Sequence, residues 1–218
     1  AVYGLGAQYV PMYEAQLPKE WEYILKDSGA KVLLVANSKI AEKCRPMLAS
    51  NGGVATLEHI VEFGSKGPDG YATVLEKGRA NPEPSVQAKP EDVCGFIYTS
   101  GTTGNPKGVL LTHSNITSNI NAVHQIFPMS PEDVSLSFLP WAHSFGQTCE
   151  LHGLLSYGAS MGLAESVATI IDNLAEVKPT LLFSVPRIFN RIYDGVNKKM
   201  VEAGGLKPAG TAGSWFQP

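Results

Sequence analysis

Apolar residues recur at helical spacing in some segments and form short unbroken runs in others, and the two patterns alternate along the chain. Within residues 17–30, Trp21, Ile24 and Leu25 fall on one face of a helix. Residues 31–37 are a short apolar, β-branched run, which is typical of a strand buried on both faces. The same alternation predicts a helix over 38–50 and a strand over 57–63. Such alternation favours an α/β fold.

Residues 64–92 differ in composition from the segments on either side. They are rich in glycine, proline and charge, which is typical of a surface connection. One short helix is predicted within them, over residues 71–79. Two interpretations stay open: a boundary between domains, or a long loop that returns to the same sheet.

Helical and strand patterns resume after residue 92. We expect strands over 94–99, 134–140, 159–164 and 180–185, a short apolar run over 109–112, and helices over 113–127, 145–158, 167–177 and 186–201. Thr112 or Ser114 is the predicted N-cap of the first of these helices. The whole pattern predicts layered sheets with flanking helices, in a first α/β portion (1–63), the loop-rich connection (64–92) and a third portion (93–218).

Composition narrows the class of protein. A length of 218 residues corresponds to one or two domains, and 44% hydrophobic residues are enough for a globular core. The net charge of −3 offers no electrostatic reason to expect a nucleic-acid partner. An anionic ligand would therefore have to be held by local geometry.

The three cysteines and the two ends of the chain bear on its cellular context. Cys44, Cys94 and Cys149 have neither paired nor zinc-binding spacing, which predicts free thiols in a reducing, intracellular compartment. No apolar run approaches the roughly 20 residues of a membrane helix, and no signal peptide is visible. Because the chain does not begin with methionine, we interpret it as a piece of a longer protein.

The strongest chemical signal is the stretch YTSGTTGNPKG at residues 98–108. Its glycines allow the backbone to approach a ligand closely, its hydroxyl side chains supply donors, and Lys107 adds a compact positive charge. A chain with these groups in one loop can hold a polyphosphate. The order of residues does not match the P-loop of NTPases, which ends in Gly-Lys-Ser/Thr, nor the Gly-x-Gly-x-x-Gly loop of dinucleotide-binding folds.

Three segments together resemble one family. YTSGTTGNPKGVLLTHSN (98–115) resembles the signature of adenylate-forming enzymes, which include acyl-CoA synthetases, luciferases and peptide-synthetase adenylation domains. FLPWAHSFG (138–146) is similar to the family's next motif, and SVPRIFNRIYDGV (184–196) resembles long-chain acyl-CoA synthetases in particular. The resemblance assigns residues 1–218 to part of the family's large AMP-binding N-terminal domain, without its C-terminal lid domain.

The resemblance implies ATP-dependent activation of a carboxylic acid, most similar to that of a long-chain-fatty-acid–CoA ligase. ATP, Mg²⁺ and coenzyme A are the implied cofactor and co-substrates, with a fatty acid as the substrate. By the same resemblance, Lys107 and His143 are the implied catalytic residues, and Thr99 is the implied Mg²⁺ ligand. The residues implied to bind the phosphates are Thr99, Ser100, Gly101, Thr102, Thr103, Gly104 and Lys107.

The family's motif also implies an acyl pocket lined by Trp141, His143, Phe145 and Gly146. Without the resemblance, a histidine beside a tryptophan is more typical of a protein core. Some long-chain synthetases carry a gating tryptophan shortly after this histidine, whereas here Gln147 stands four residues on. The presence of a gate therefore stays open.

Two alternatives stay open beside this interpretation. The family's adenine-, ribose- and lid-forming motifs are absent from these residues, so the chain alone is expected to be incomplete for catalysis. It could instead be a truncated, non-catalytic relative, or an adenylation domain that loads another thiol acceptor. The resemblance also leaves open a peripheral association with a membrane, a cytoplasmic or organellar location and the oligomeric state.

Overall fold

The computed structural model describes residues 2–99, 104–202 and 204. The chain divides after Thr117 into two compact units, and each unit is described by itself. The division falls inside one helix, α4. The three portions predicted from composition, 1–63, 64–92 and 93–218, stay a prediction.

The first unit alternates helices and strands in the predicted order. Its elements are α1 (Pro18–Ser28), β1 (Val32–Val35), α2 (Ser38–Cys44), β2 (His59–Glu62), α3 (Tyr71–Ala80), β3 (Val93–Thr99), β4 (Lys107–Thr112) and the start of α4 (His113–Ile126), with short 3₁₀ helices at Tyr3–Leu5, Arg45–Met47 and Ala49–Asn51. The α/β class is confirmed. The helix predicted over 38–50 ends at Cys44, because Pro46 follows two residues later.

A parallel strand pair forms the centre of the first unit's core. β1 pairs with β2, and Leu33 lies opposite Ile60 in the register. Leu33, Ile60 and the fully buried Leu57 pack in one cluster with residues of α1 and α2. Leu34 is 48% exposed, so β1 is buried on only one face within this unit. The expectation of burial on both faces is therefore wrong for the described unit.

An antiparallel hairpin, β3–β4, forms the second sheet of this unit. Directly after it, the hydroxyl of Thr112 accepts a hydrogen bond from the amide of Asn115, and the side chain of Asn115 accepts one from the amide of Thr112. This reciprocal pattern is a capping box, which starts α4 immediately after the hairpin. Of the two predicted N-caps, the structure selects Thr112.

The second unit contains one parallel strand pair and several helices. Its elements are the rest of α4, β5 (Val134–Ser137), a π-helix (Gly146–Gly153), α5 (Leu154–Tyr157), β6 (Ser160–Leu163), α6 (Ile170–Val177) and α7 (Pro186–Glu202). β5 pairs with β6, and Leu136 lies opposite Gly162. The buried Leu136, Leu154 and Ile170 come from a strand and two helices of this unit and are its most deeply buried apolar residues.

Two sequence predictions differ from the structure of the second unit. The apolar run 180–185 does not form a strand, since only Leu181 pairs, in a single bridge with Ser135. A β-branched composition favours extended backbone, but a strand also needs a neighbouring backbone along its length. The helix predicted over 145–158 is present, although its residues Gly146–Gly153 form a π-helix.

None of the described helices is long and apolar enough to cross a lipid bilayer. All three cysteines are free thiols, as predicted, and burial raises the pKa of each.

Candidate functional site

The loop end of the β3–β4 hairpin brings together two candidate residues that are eight positions apart in sequence. Thr99 ends β3, Lys107 begins β4, and the two are direct cross-strand partners. Opposite residues in an antiparallel pair project from the same face, with Cβ atoms about 4.5–5.5 Å apart. The pair Thr99 and Lys107, here called the hairpin mouth, therefore places a hydroxyl-bearing and an ammonium-bearing side chain on the same face of the hairpin.

The hairpin mouth is accessible to a ligand. Thr99 and Lys107 are both exposed. Among the residues that the structure describes, no carboxylate lies within ion-pair distance of the Lys107 ammonium. An exposed lysine without such a partner can pair with an anion from solution.

The turn between the two strands completes the segment. Gly104 has a φ of +126°, a backbone conformation that side chains rarely adopt, so a glycine is needed there. The other implied phosphate-binding residues, Ser100, Gly101, Thr102 and Thr103, lie outside the described residues. Their contact with phosphate stays a prediction.

A tyrosine anchors the hairpin one pair further from its mouth. Tyr98 lies opposite Gly108, and its hydroxyl donates a hydrogen bond of 2.7 Å to Oδ2 of Asp27 on α1. Burial first, and then the hydrogen bond and negative charge of Asp27, raise the pKa of Tyr98. The hydroxyl therefore stays protonated as a donor, and it ties the hairpin to α1 next to the mouth.

In the second unit, the segment 138–146 leads from β5 into the π-helix and carries all four implied acyl-pocket residues. His143 is exposed, so it is not a buried core histidine within this unit. Its Nδ1 accepts a hydrogen bond of 3.2 Å from the amide of Phe145. In the neutral ring the proton therefore sits on Nε2, which becomes the available donor. Trp141 is half-buried, and Phe145 is 38% exposed.

Gly146 is buried at the first position of the π-helix. A Cβ at this position would lie 2.8 Å from the carbonyl oxygen of Pro140 and 3.1 Å from the Cβ of Leu139. The absence of a side chain therefore lets the start of the helix pack closely against the backbone of the segment that carries His143.

We expect Gly146→Ala to lower the free energy of unfolding by about 1–3 kcal/mol, because the added methyl group overpacks the contact with Pro140. Gly78→Ala is the matched control. Gly78 lies inside α3 with open space around its Cα, so alanine there should stabilise the protein by up to about 1 kcal/mol. Chemical denaturation of both variants measures the two effects, and equal shifts would contradict the packing argument.

Glu150 is a buried carboxyl group that the motif analysis missed. It lies on the π-helix and is 0% exposed. Its Oε2 accepts a hydrogen bond of 2.6 Å from the hydroxyl of Ser137 and one of 3.1 Å from the indole Nε1 of Trp141. Its Oε1 is buried and accepts no hydrogen bond of regular geometry. The sequence signal that could have found it is a lone glutamate within a helix predicted to be buried.

The environment of Glu150 favours its protonated form. Burial raises the pKa of its carboxyl group, although the donors Ser137 and Trp141 and the amides of Phe138 and Leu139 partly oppose that effect. A group with a raised pKa in the folded state binds more protons there than in the unfolded chain, so its contribution to stability falls as the pH rises above its unfolded pKa.

We therefore expect the difference in unfolding free energy between Glu150→Gln and the wild type to move in favour of Glu150→Gln as the pH rises from below about 4.3, the ordinary pKa of a glutamate. Glutamine keeps the shape of the side chain and does not titrate. Urea denaturation at a series of pH values measures this difference. Glu176→Gln, at an exposed position on α6, provides the control, and the same trend in that variant would refute the explanation.

The implied residues thus form two local groups, one in each unit: the hairpin mouth with Gly104, and the segment with Trp141, His143, Phe145 and Gly146. No group of three or more histidine, cysteine, aspartate or glutamate side chains that could hold a metal occurs among residues 2–99, 104–202 and 204. An exposed threonine hydroxyl beside a lysine fits a single protein ligand for Mg²⁺, which usually keeps waters and phosphate oxygens as its other ligands.

Comparison with known proteins identifies similar chains among the long-chain acyl-CoA synthetases. Long chain acyl-CoA synthetase 7, peroxisomal, of Arabidopsis thaliana is 38% identical over 138 residues, which cover 63% of this chain and 20% of that protein. Long chain acyl-CoA synthetase 4 of the same plant is 33% identical over 219 residues, which cover 93% of this chain and 33% of that protein. The chain thus spans between a fifth and a third of the length of these relatives.

A solved structure and a family model also match this chain. The crystal structure of the anthranilate CoA ligase AuaEII in complex with anthranoyl-AMP superimposes with a TM-score of 0.73 and 27% identity, covering 87% of this chain and 37% of that one. The family model of the AMP-binding enzymes matches residues 1–218. The chain therefore belongs to the AMP-binding enzyme family and has the fold of the N-terminal part of adenylate-forming enzymes.

Proposed function

We propose that the complete protein joins a carboxylic acid, a long-chain fatty acid, to coenzyme A through an acyl-adenylate. The observation that carries this proposal is the hairpin mouth, where Thr99 and Lys107 face one another at the two ends of the glycine-rich loop. The match of residues 1–218 to the AMP-binding family and the similarity to long-chain acyl-CoA synthetases support the choice of reaction.

The proposed reaction solves a chemical problem of carboxylates, which are poor electrophiles because oxide is a poor leaving group. In the first step a carboxylate oxygen attacks the α-phosphorus of ATP, and pyrophosphate leaves. In the second step the thiol of coenzyme A attacks the acyl carbon, AMP leaves with the bonding electrons, and the thiol proton is released. Negative charge grows on the departing phosphates in the first step, and fixed donors that face this charge lower the barrier.

The hairpin mouth is suited to that first step. The Lys107 ammonium would pair with the oxygens of the departing phosphates, and the nearby loop would supply further donors. The Thr99 hydroxyl would provide one ligand to Mg²⁺, which neutralises phosphate charge when it is bound. Because Tyr98 ties the hairpin to α1, the two side chains would need little reorganisation when the substrate arrives.

The segment 138–146 is suited to hold the acid. His143 offers Nε2–H as a donor toward a carboxylate or phosphate oxygen, since its Nδ1 is engaged with the amide of Phe145. Trp141 and Phe145 would provide an apolar wall for the acyl chain, and apolar walls with few polar groups are typical of small-molecule sites. Gly146 would act through packing, because it is buried beneath the Pro140 backbone.

ATP–pyrophosphate exchange tests the proposed function. Both the 218-residue chain and the complete protein are incubated with fatty acids of increasing length, and coenzyme A is then added to measure thioester formation. We expect exchange and thioester with the complete protein and long-chain acids. Exchange followed by transfer only to a carrier-protein thiol would favour an adenylation domain instead. No exchange with any acid would favour a non-catalytic relative.

The proposal extends to the cellular context. Similarity to a peroxisomal synthetase supports an intracellular location. A long-chain fatty acid partitions into membranes, so a protein that uses it would meet its substrate at a membrane surface. Flotation of the complete protein with phospholipid vesicles measures such an association, and sedimentation analysis measures the oligomeric state.

A further inference from the structure

We propose that Glu150 is a positioning residue, which holds Trp141 and thereby fixes the segment that carries His143 against the acyl substrate. This inference rests on the proposed function and assigns a residue that lies outside the acyl-pocket motif. It starts from the buried network of Ser137, Trp141 and Glu150.

The three members of the network come from three consecutive parts of the second unit. Ser137 is the last residue of β5, Trp141 lies in the following segment, and Glu150 lies on the π-helix. Both donors bind the same carboxyl oxygen, at 2.6 Å from Ser137 and 3.1 Å from Trp141. The side chain of Glu150 therefore joins the end of the strand, the segment and the helix at one atom.

His143 follows Trp141 by two residues in the same segment. The amide of His143 donates a hydrogen bond of 3.0 Å to the carbonyl of Pro140, and the amide of Gln147 donates one of 3.0 Å to the carbonyl of His143. The segment between the strand and the helix is therefore short and held at both ends. A shift of Trp141 would be passed to His143, and a displacement of about 1 Å can cost a reaction about 100-fold.

Glu150 is an unfavourable choice for stability alone. A fully buried carboxyl group costs free energy unless all its polar atoms are paired, and its Oε1 lacks a regular hydrogen bond. Among the described residues, no cation forms a salt bridge with it. An apolar side chain of similar volume would avoid the cost of burying a carboxyl group. What an apolar residue could not do is accept the hydrogen bonds of Trp141 and Ser137.

The local helix geometry agrees with a functional role. Glu150 lies on eight residues of π-helix, and π-helical turns occur frequently at functional sites. Gly146, at the start of the same helix, packs against the Pro140 carbonyl. The helix thus contacts the segment at two points, through a side chain and through backbone packing.

The test compares Glu150→Leu, Glu150→Gln and Trp141→Phe in the complete protein, with Glu176→Gln as the exposed control. Leucine removes the acceptor and fills the space, glutamine keeps an acceptor oxygen, and phenylalanine removes only the indole donor. The measurements are the melting temperature and the kcat and KM for a long-chain fatty acid and for ATP.

We expect Glu150→Leu to lower the melting temperature, because Ser137 and Trp141 lose their acceptor. In the folded protein it should also raise the KM for the fatty acid about 10- to 100-fold, with little change in the KM for ATP. Trp141→Phe should show the same selective effect in milder form, and Glu150→Gln should restore most of the wild-type value. The KM for the fatty acid in the double variant Trp141→Phe/Glu150→Leu should be no higher than in Glu150→Leu alone. Both changes break the same hydrogen bond, between Trp141 and Glu150.

A purely structural role predicts other results. A lower melting temperature with unchanged kinetic constants in the folded fraction would overturn the positioning role, and so would a wild-type KM in Glu150→Leu. If the wild-type protein itself activates no carboxylic acid, the proposed function fails and this inference fails with it. Activity in the wild type with no selective effect in Glu150→Leu would refute the inference alone.

Discussion

Replacing Lys107 with alanine should reduce ATP-dependent pyrophosphate release by the complete protein about 100- to 1000-fold. The reason is the position of the ammonium group at the hairpin mouth, directly opposite Thr99 and without an ion pair to a described carboxylate. Removing one preorganised group that stabilises transition-state charge costs about this much in other enzymes. The measurement is the initial rate of pyrophosphate release with saturating ATP and fatty acid.

Two further variants sharpen the interpretation of that result. Lys107→Arg keeps the charge but changes its shape and reach, so it should recover only part of the rate. Lys66→Ala, an exposed lysine in a loop of the same unit, should leave the rate unchanged. A wild-type rate in Lys107→Ala, with the protein folded by its melting temperature, would remove Lys107 from the proposed mechanism.

Replacing His143 with asparagine should lower kcat/KM for the fatty acid about 100-fold and leave the yield of folded protein unchanged. An asparagine side-chain oxygen can take the place of Nδ1 and accept the hydrogen bond from Phe145. It cannot reach the position of Nε2, so the outward donor is lost. Such losses of a donor near reacting oxygens are of this order.

Glutamine at position 143 makes the complementary change. Its amide nitrogen can reach the position of Nε2 while its oxygen loses the contact with the Phe145 amide, so His143→Gln should retain more activity than His143→Asn. His59→Asn, on the exposed side of β2, is the control for a histidine outside the site. A larger loss in His143→Gln than in His143→Asn would indicate that the Phe145 contact matters more than the donor. Misfolding in both would support a core role instead.

Much of the fold could be predicted because the patterns are local. The helical face of Trp21, Ile24 and Leu25 is buried as expected. Strands are harder to predict from local patterns, because a strand must pair with backbone that is distant in the sequence. The run 180–185 has the composition of a strand, but only Leu181 finds a partner.

The candidate site was predictable only where its residues are neighbours in a motif. Thr99, Lys107 and His143 were identified from their motifs. The metal-binding role of Thr99 and the catalytic roles of Lys107 and His143 stay predictions. Glu150 was missed because a single glutamate in a helix is most often exposed, and only its burial and its contacts with Ser137 and Trp141 single it out. Those contacts depend on how a strand, a segment and a helix pack together.

The sequence by itself determined the α/β class, the family and the chemistry of the glycine-rich loop, since helical spacing, apolar runs and residue order are properties of neighbours along the chain. Only the tertiary structure decided which residues face each other. It paired Thr99 with Lys107 across a hairpin, oriented the tautomer of His143 through the amide of Phe145, and buried Glu150 beneath Trp141. Register, hydrogen bonding and burial depend on atoms that are brought close in space, and the one-dimensional pattern does not specify those distances.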